Sequence, residues 1–256
     1  MRNNLIDILR KVSQKSNIFT FNELLELTKV DKRMLWKVVS KLERKGYIKR
    51  VEKGKYIIVP LDANKEEYTL HEFVIASLLV KEYAISYWSA LNYYGFTEQI
   101  PQTVFIQTIL RKEHQKLEIF GVEYRIVRVE TKKFFGIRKE WIEDTQINIT
   151  DKEKTIIDCL DKPQYSGGII EVIKALKNNH KDLDLKELSQ YANQIGNSAV
   201  SRRLGYICDL LSIRIKLPLP NVRNYLWLDP TMPKSGQKNS KWKLIININE
   251  STVGGL

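Results

Sequence analysis

The sequence predicts an α+β fold, with a small basic module ahead of a larger mixed body, and three observations carry that prediction. Helical and strand-like periodicities are segregated along the chain instead of alternating as β-α-β units. The first sixty residues hold 15 Lys or Arg against 6 Asp or Glu, so +9 of the formal +12 lies in the first quarter. Polar and charged residues at 60–67 then separate that quarter from a remainder long enough for a second domain.

Composition narrows the class further. With 256 residues, 43% hydrophobic and 28% charged, the chain has the balance of a soluble globular protein rather than a disordered or fibrous one. Cys159 and Cys208 lie inside apolar helical patterns, far apart and without zinc-site spacing, which predicts a reducing compartment. The start, Met1-Arg2-Asn3-Asn4, runs into an amphipathic segment and not a signal-peptide core. No stretch is apolar and long enough to span a bilayer, so a cytoplasmic protein that makes no membrane contact is expected. His71, His114 and His180 stand apart from each other and from the cysteines, and neither a metal nor a cofactor is expected.

In the basic quarter, Leu5, Ile6, Leu9 and Val12 recur at helical spacing and predict a first helix over 5–12. Thr20 with Glu23 fits a capping box for a short second helix carrying Phe21, Leu24, Leu25 and Leu27. After Thr28-Lys29-Val30, Asp31 caps a third helix that runs to about Lys45, where Gly46 ends it. At about 100° per residue, Met34, Leu35, Val38, Val39 and Leu42 form one stripe of this helix. Arg33, Trp36, Lys37, Ser40 and Arg44 point the other way. Residues 47–50 and 56–59 then read as a hairpin whose Glu52-Lys53-Gly54-Lys55 tip needs the permissive Gly54.

Helix, helix, turn, helix and a cationic hairpin make a winged helix-turn-helix over residues 1–60, with double-stranded DNA as the expected partner. In that geometry the early residues of the motif's second helix meet base edges in the major groove. Those are Lys32, Arg33, Trp36 and Lys37, with Ser40 on the same outward face. Arg33 suits bidentate contact to guanine, whereas Arg50, Lys53 and Lys55 on the hairpin suit phosphates. Two blander readings stand beside this one: a Lys-rich helix face can be merely solvated, and Trp36 can pack on a neighbouring domain. Some winged helices, moreover, bind only protein.

The body is expected to span 68–249, followed by a flexible tail at 250–256. Residues 70–80 and 86–94 predict buried helices, the second stopped by Gly95. Strand-like runs at 103–110 and 122–129 should be neighbours, with polar 111–116 between them. A short strand at 146–149 leads into Thr150-Asp151-Lys152-Glu153, a capping box for a helix over 154–160. Gly167-Gly168 opens a helix through Leu176, Asp184 with Glu187 caps another, and Ser198 starts one reaching Leu211. Further strands are expected at 225–228 and 242–246, with a mobile loop at 231–241. Tyr83, Tyr87, Trp88, Tyr93 and Tyr94 could stack bases but have the spacing of core aromatics. Residues 185–195, Gly196-Asn197 and 198–211 could form a second helix-turn-helix with Arg202 and Arg203 exposed, although paired packing helices are the simpler reading.

Signals for enzymes are sparse. A P-loop, a dinucleotide-binding glycine fingerprint and a nucleophile elbow are all missing from the sequence. Glu130-Thr131-Lys132 resembles the carboxylate-x-lysine of metal-dependent nucleases, which makes such a nuclease, targeted by a winged helix, the alternative function. The site would need a second carboxylate, and the run at 103–110 has none. No catalytic residue is therefore assigned.

Ser86-Tyr87-Trp88-Ser89-Ala90-Leu91-Asn92-Tyr93-Tyr94-Gly95, followed by Thr97-Glu98-Gln99 and Pro101, resembles the AbiEi family of abortive-infection antitoxins. The resemblance continues through Phe135-Gly136-Ile137-Arg138, the Asp151-Lys152-Glu153-Lys154-Thr155-Ile156-Ile157-Asp158 block and Gly167-Gly168-Ile169. It implies a non-enzymatic transcriptional repressor and antitoxin of a type IV toxin–antitoxin system, related to phage defence. The winged helix of such a protein would bind inverted repeats upstream of its own operon, and its carboxy-terminal part would counter a nucleotidyltransferase-like toxin. Amino-terminal sequences vary in this family, so the base-reading positions rest on helix geometry alone, and the sequence leaves the oligomeric state open.

Overall fold

The structure is a computed structural model that describes Val12, residues 18–59 and residues 70–249. The chain divides into two units, Met1–His71 and Glu72–Leu256. The first helix expected over 5–12, the linker at 60–67 and the tail at 250–256 lie outside the described residues, except that Val12 is helical and buried.

In the first unit, strand β1 (Ile18–Thr20) leads directly into helix α1 (Phe21–Thr28). The predicted capping box is present: Glu23 N–H donates to Thr20 Oγ1 at 3.1 Å, and Thr20 N–H donates to Glu23 Oε2 at 2.6 Å. Helix α2 (Lys32–Arg44) starts at Asp31, whose Oδ1 accepts from Arg33 N–H at 2.9 Å and Met34 N–H at 3.2 Å. Strands β2 (Ile48–Glu52) and β3 (Lys55–Ile58) form the predicted hairpin. Strand β1, which the sequence did not reveal, pairs antiparallel with β3, giving the order β1-β3-β2. Phe21 N–H also donates to Gly54 carbonyl at 2.7 Å, which ties the wing tip to the start of α1. Leu24, Leu35, Val39, Leu42, Ile48 and Tyr56 lie in the core of this unit.

The second unit begins with helix α3 (Glu72–Leu79), strand β4 (Ala84–Ile85) and helix α4 (Tyr87–Tyr93). Next come β5 (Thr103–Thr108), β6 (Lys116–Ile119), β7 (Val122–Arg128), β8 (Ile137–Ile142) and β9 (Thr145–Thr150). They build a mixed six-stranded sheet of order β6-β7-β5-β4-β9-β8, so the two expected neighbours, β5 and β7, do pair. They run parallel because the polar stretch between them ends in β6, which turns back on β7 as a hairpin. Helices α5 (Lys152–Asp161), α6 (Ile169–Asn179), α7 (Leu185–Gln194) and α8 (Ser198–Leu210) follow. A small sheet of β10 (Leu226–Trp227), β11 (Gln237–Asn239) and β12 (Leu244–Ile246) completes the described chain. Strand β11 falls within the loop expected to be mobile.

Helix α5 is the hub of this unit. Every residue from Glu153 to Leu160 is buried, and α4, α6, α7 and α8 all pack around it. A helix enclosed on all sides has no solvated face for its charges, so they need internal partners. The cap also differs from the predicted Thr150–Glu153 box. Asp151 holds the N-cap position, accepting from Lys154 N–H at 2.7 Å, while Glu153 accepts from Asp184 N–H at 2.8 Å and Thr150 Oγ1 bonds Thr155. Glu153 is thereby committed to the start of α7 instead of to its own helix.

Candidate nucleic-acid interface

Helix α2 presents two chemically distinct faces. Leu35, Val39 and Leu42 are essentially inaccessible, while Lys32, Arg33, Trp36, Lys37, Ser40 and Arg44 are exposed. Met34 departs from the sequence reading: it is 60% exposed and belongs to the outward face, not to the packing stripe. Its position lies at the margin of that stripe, where spacing to Val38 groups the two, but only Val38 is drawn inward.

Trp36 sits on the flank. Its ring stacks on Phe21 with centroids 4.3 Å apart and planes 21° from parallel, leaving 38% of the residue exposed. Because Phe21 opens α1, this stack fixes the two helices of the motif against each other. The neighbouring-domain role considered for Trp36 is thus filled, in part, within its own unit.

The first turn of α2 is electrostatically unusual. The amino-terminal end of a helix carries partial positive charge and favours anions, yet here it carries Lys32 and Arg33, with Asp31 alone as the capping carboxylate. An external anion would relieve that opposition. The last turn, by contrast, has Lys41 and Arg44 where cations suit the dipole.

On the wing, Arg50 and Lys53 are exposed. Lys55 is half-buried, with its Nζ 3.1 Å from Glu52 Oε2, so a phosphate would compete with an existing ion pair there. The sequence-derived set therefore lies on two elements of one small unit: Lys32, Arg33, Trp36, Lys37 and Ser40 on α2, and Arg50, Lys53 and Lys55 on the hairpin.

The other candidates have different surroundings. Glu130 and Lys132 pair with each other at 3.1 Å and are both more than half exposed, while β5, beside the preceding strand, brings no carboxylate. Arg202 and Arg203 are buried at 2% and 6% exposure, which overturns the second helix-turn-helix with exposed arginines. Arg203 donates to the carbonyls of Leu160 (2.7 Å), Leu228 (2.9 Å) and Trp227 (3.4 Å), and Arg202 to those of Asn224 and Lys243. They fasten α8 to the chain around the small sheet. Gly205 on the same helix leaves room for the Trp242 ring, which any Cβ there would strike.

The motifs behind the family resemblance also have internal partners. Tyr94 O–H donates to Thr150 carbonyl at 2.8 Å, Asp151 N–H donates to Gly136 carbonyl at 2.8 Å, and Thr97 Oγ1 donates to Glu171 Oε2 at 3.1 Å. Gly136 has φ +62°, and a Cβ there would stand 2.8 Å from Lys154 Cβ and 2.9 Å from Asp151 Oδ2. Lys154 pairs with Asp158 inside α5 and lies over the Phe135 ring at 4.8 Å. Tyr191 O–H donates to Asp151 Oδ2 at 3.1 Å. Burial raises the Asp151 carboxyl to about 6; the Lys154 N–H and Tyr191 O–H bonds oppose the rise, and Glu153 and Glu187 add to it. Burial likewise raises the Cys159 and Cys208 thiols, the latter to about 12, and both cysteines are free.

Fold and surface together define a winged helix-turn-helix whose second motif helix has a cationic outward face, in a chain with an α+β body. Residues 7–59 match the family described as transcriptional regulator, AbiEi antitoxin, and this is the segment that contains the motif. The matched residues are not those that first carried the resemblance, which lie in the body. The chain is also similar to the crystal structure of the RV2827C protein from Mycobacterium tuberculosis, with a TM-score of 0.64 and 14% identity over 93% of this chain and 89% of that one. That likeness is one of fold. Among curated proteins no relative matches. No helix among the described residues is long and apolar enough to cross a membrane.

Proposed function

We propose that this protein is a DNA-binding transcriptional repressor and antitoxin, reading inverted repeats in its own promoter through the winged helix. The observation that carries the reading is the outward face of α2, where Lys32 and Arg33 oppose their own helix dipole in a segment matching the AbiEi regulator family. Arg33, Lys37 and the exposed part of Trp36, with Lys32 and Ser40, meet the major groove. Arg50, Lys53 and Lys55 follow the flanking phosphates. The protein acts without enzymatic chemistry or a cofactor, in the cytoplasm, and the 68–249 body counters a nucleotidyltransferase-like toxin.

A gel shift with full-length protein tests the first half. The duplex upstream of its own gene should bind at least about a thousandfold more tightly than a scrambled duplex at physiological salt. Equal affinity for the two would refute operator recognition. Co-expression with the adjacent gene tests the second half: restored growth supports the antitoxin role, and continued toxicity with the full-length protein contradicts it.

A further inference from the structure

We propose that Met34 is a specificity-determining residue that reads thymine methyl groups in the major groove, an inference that rests on the DNA-binding reading above. Three observations support it. Met34 is the most exposed large apolar side chain described in the amino-terminal unit, at 60% against 39% for Leu27 and 38% for Trp36. Its backbone is pinned, because Met34 N–H donates to the Asp31 side chain at 3.2 Å, so the side chain leaves from a fixed first turn. Finally, at about 100° per residue it falls about 20° from Lys41 and about 60° from Lys37, at the edge of the cationic face that borders Val38.

An unbranched thioether in that position has no use as a core residue and none as a phosphate ligand. The apolar feature that a base pair offers the major groove is the thymine C5-methyl, and exposed apolar side chains on recognition helices contact it. Methionine suits the task because its flexible chain adapts to a small apolar target. Arg33, one position earlier and about 100° round the helix, would read guanine, so the first turn of α2 would distinguish a G·C pair from a T·A pair with successive residues.

The experiment compares full-length wild type and Met34→Ala on two duplexes: the region upstream of the gene, and the same region with thymine replaced by deoxyuridine, which lacks only the methyl. Wild type should lose about fourfold in affinity for each methyl contacted, the value of one buried methyl. Met34→Ala should bind the thymine duplex more weakly by a similar factor and be indifferent to the exchange, whereas Met34→Leu should keep the discrimination. Equal binding of the two duplexes by wild type, or full discrimination by Met34→Ala, would overturn the assignment. A wild type that fails to prefer the upstream duplex over a scrambled one would instead remove the DNA-binding reading itself, a result read from a separate ratio.

Discussion

Three cations of the body and the cations on α2 and the wing of the amino-terminal unit do opposite things. In the body, Lys154, Arg202 and Arg203 are enclosed: Lys154 pairs with Asp158, Arg203 bonds backbone carbonyls, and Arg202 bonds Asn224 and the Lys243 carbonyl while its Nε stays without a partner among the described residues. In the amino-terminal unit, Lys32, Arg33, Lys37, Arg50 and Lys53 are exposed, and two of them stand against the dipole of the helix that bears them. A count of cations does not locate a binding surface. What separates the two sets is where the donors point and whether the fold itself has already used them.

The contrast breaks most visibly on mutation. Replacing Arg203 with Ala should destabilise the protein by about 3 kcal/mol or more, because buried carbonyls at Leu160 and Leu228 lose their donors. Replacing Arg33 with Ala should change stability by less than about 0.5 kcal/mol, as expected for a surface site. Urea unfolding of both variants would show this, and similar losses would erase the distinction between enclosed and outward cations.

A second expectation concerns the body alone. Asp151 is held at about 6 in the folded protein, above its ordinary value of 3.8. The folded state therefore binds more proton than the unfolded state between about pH 4 and pH 6. Stability contributed by this group is present below that window and lost as pH rises through it, by roughly 1–2 kcal/mol once solvent screening is discounted. Asp151→Asn should flatten that part of the profile in urea midpoints measured at pH 4 and pH 6.5. An unchanged slope would mean that the cap carboxyl does not titrate there.

The wing sharpens the comparison within the amino-terminal unit. Lys53→Ala should lower the slope of log affinity against log salt by about 0.9, the value of one phosphate contact. Lys55→Ala should lower it by less, because Glu52 already neutralises that ammonium. A larger effect from Lys55 would show that DNA displaces the ion pair completely.

The smallest effect is the most diagnostic of the dipole argument. Lys32→Glu should raise thermal stability by about 0.3–1 kcal/mol, since a carboxylate suits the helix start. The same change should weaken binding to the upstream duplex. A variant that gains neither stability nor loses affinity would show that the first turn is not arranged for an external anion.

Much of this was legible in the sequence where a local rule decides. Thr20 with Glu23, Asp31 and Asp184 mark helix starts because their side chains bond amides two or three residues on. The outward face of α2 follows from 100° spacing. Strands β1 and β4 escaped because they are three and two residues long, too short to show a period. Strand β8 escaped because it is a sheet edge, and the exposed Arg138 and Lys139 make it look like a loop.

The enclosed charges were not legible at all. The carbonyls that Arg202 and Arg203 bond come from positions 22 to 43 residues away, and no local pattern announces them. At the margin of the stripe hydrophobicity is the only guide the sequence offers, and it groups Met34 with the core. Its exposure follows from how α2 seats on Leu35, Val39 and Leu42, which is a property of packing.

The most direct measurement is the ratio of affinities for the upstream duplex and a scrambled duplex, taken for wild type and Arg33→Ala alongside their melting temperatures. Arg33→Ala should melt with wild type while losing about 1–3 kcal/mol of preference for the upstream sequence. An unchanged ratio at unchanged stability would contradict the claim that the outward face of α2 reads DNA.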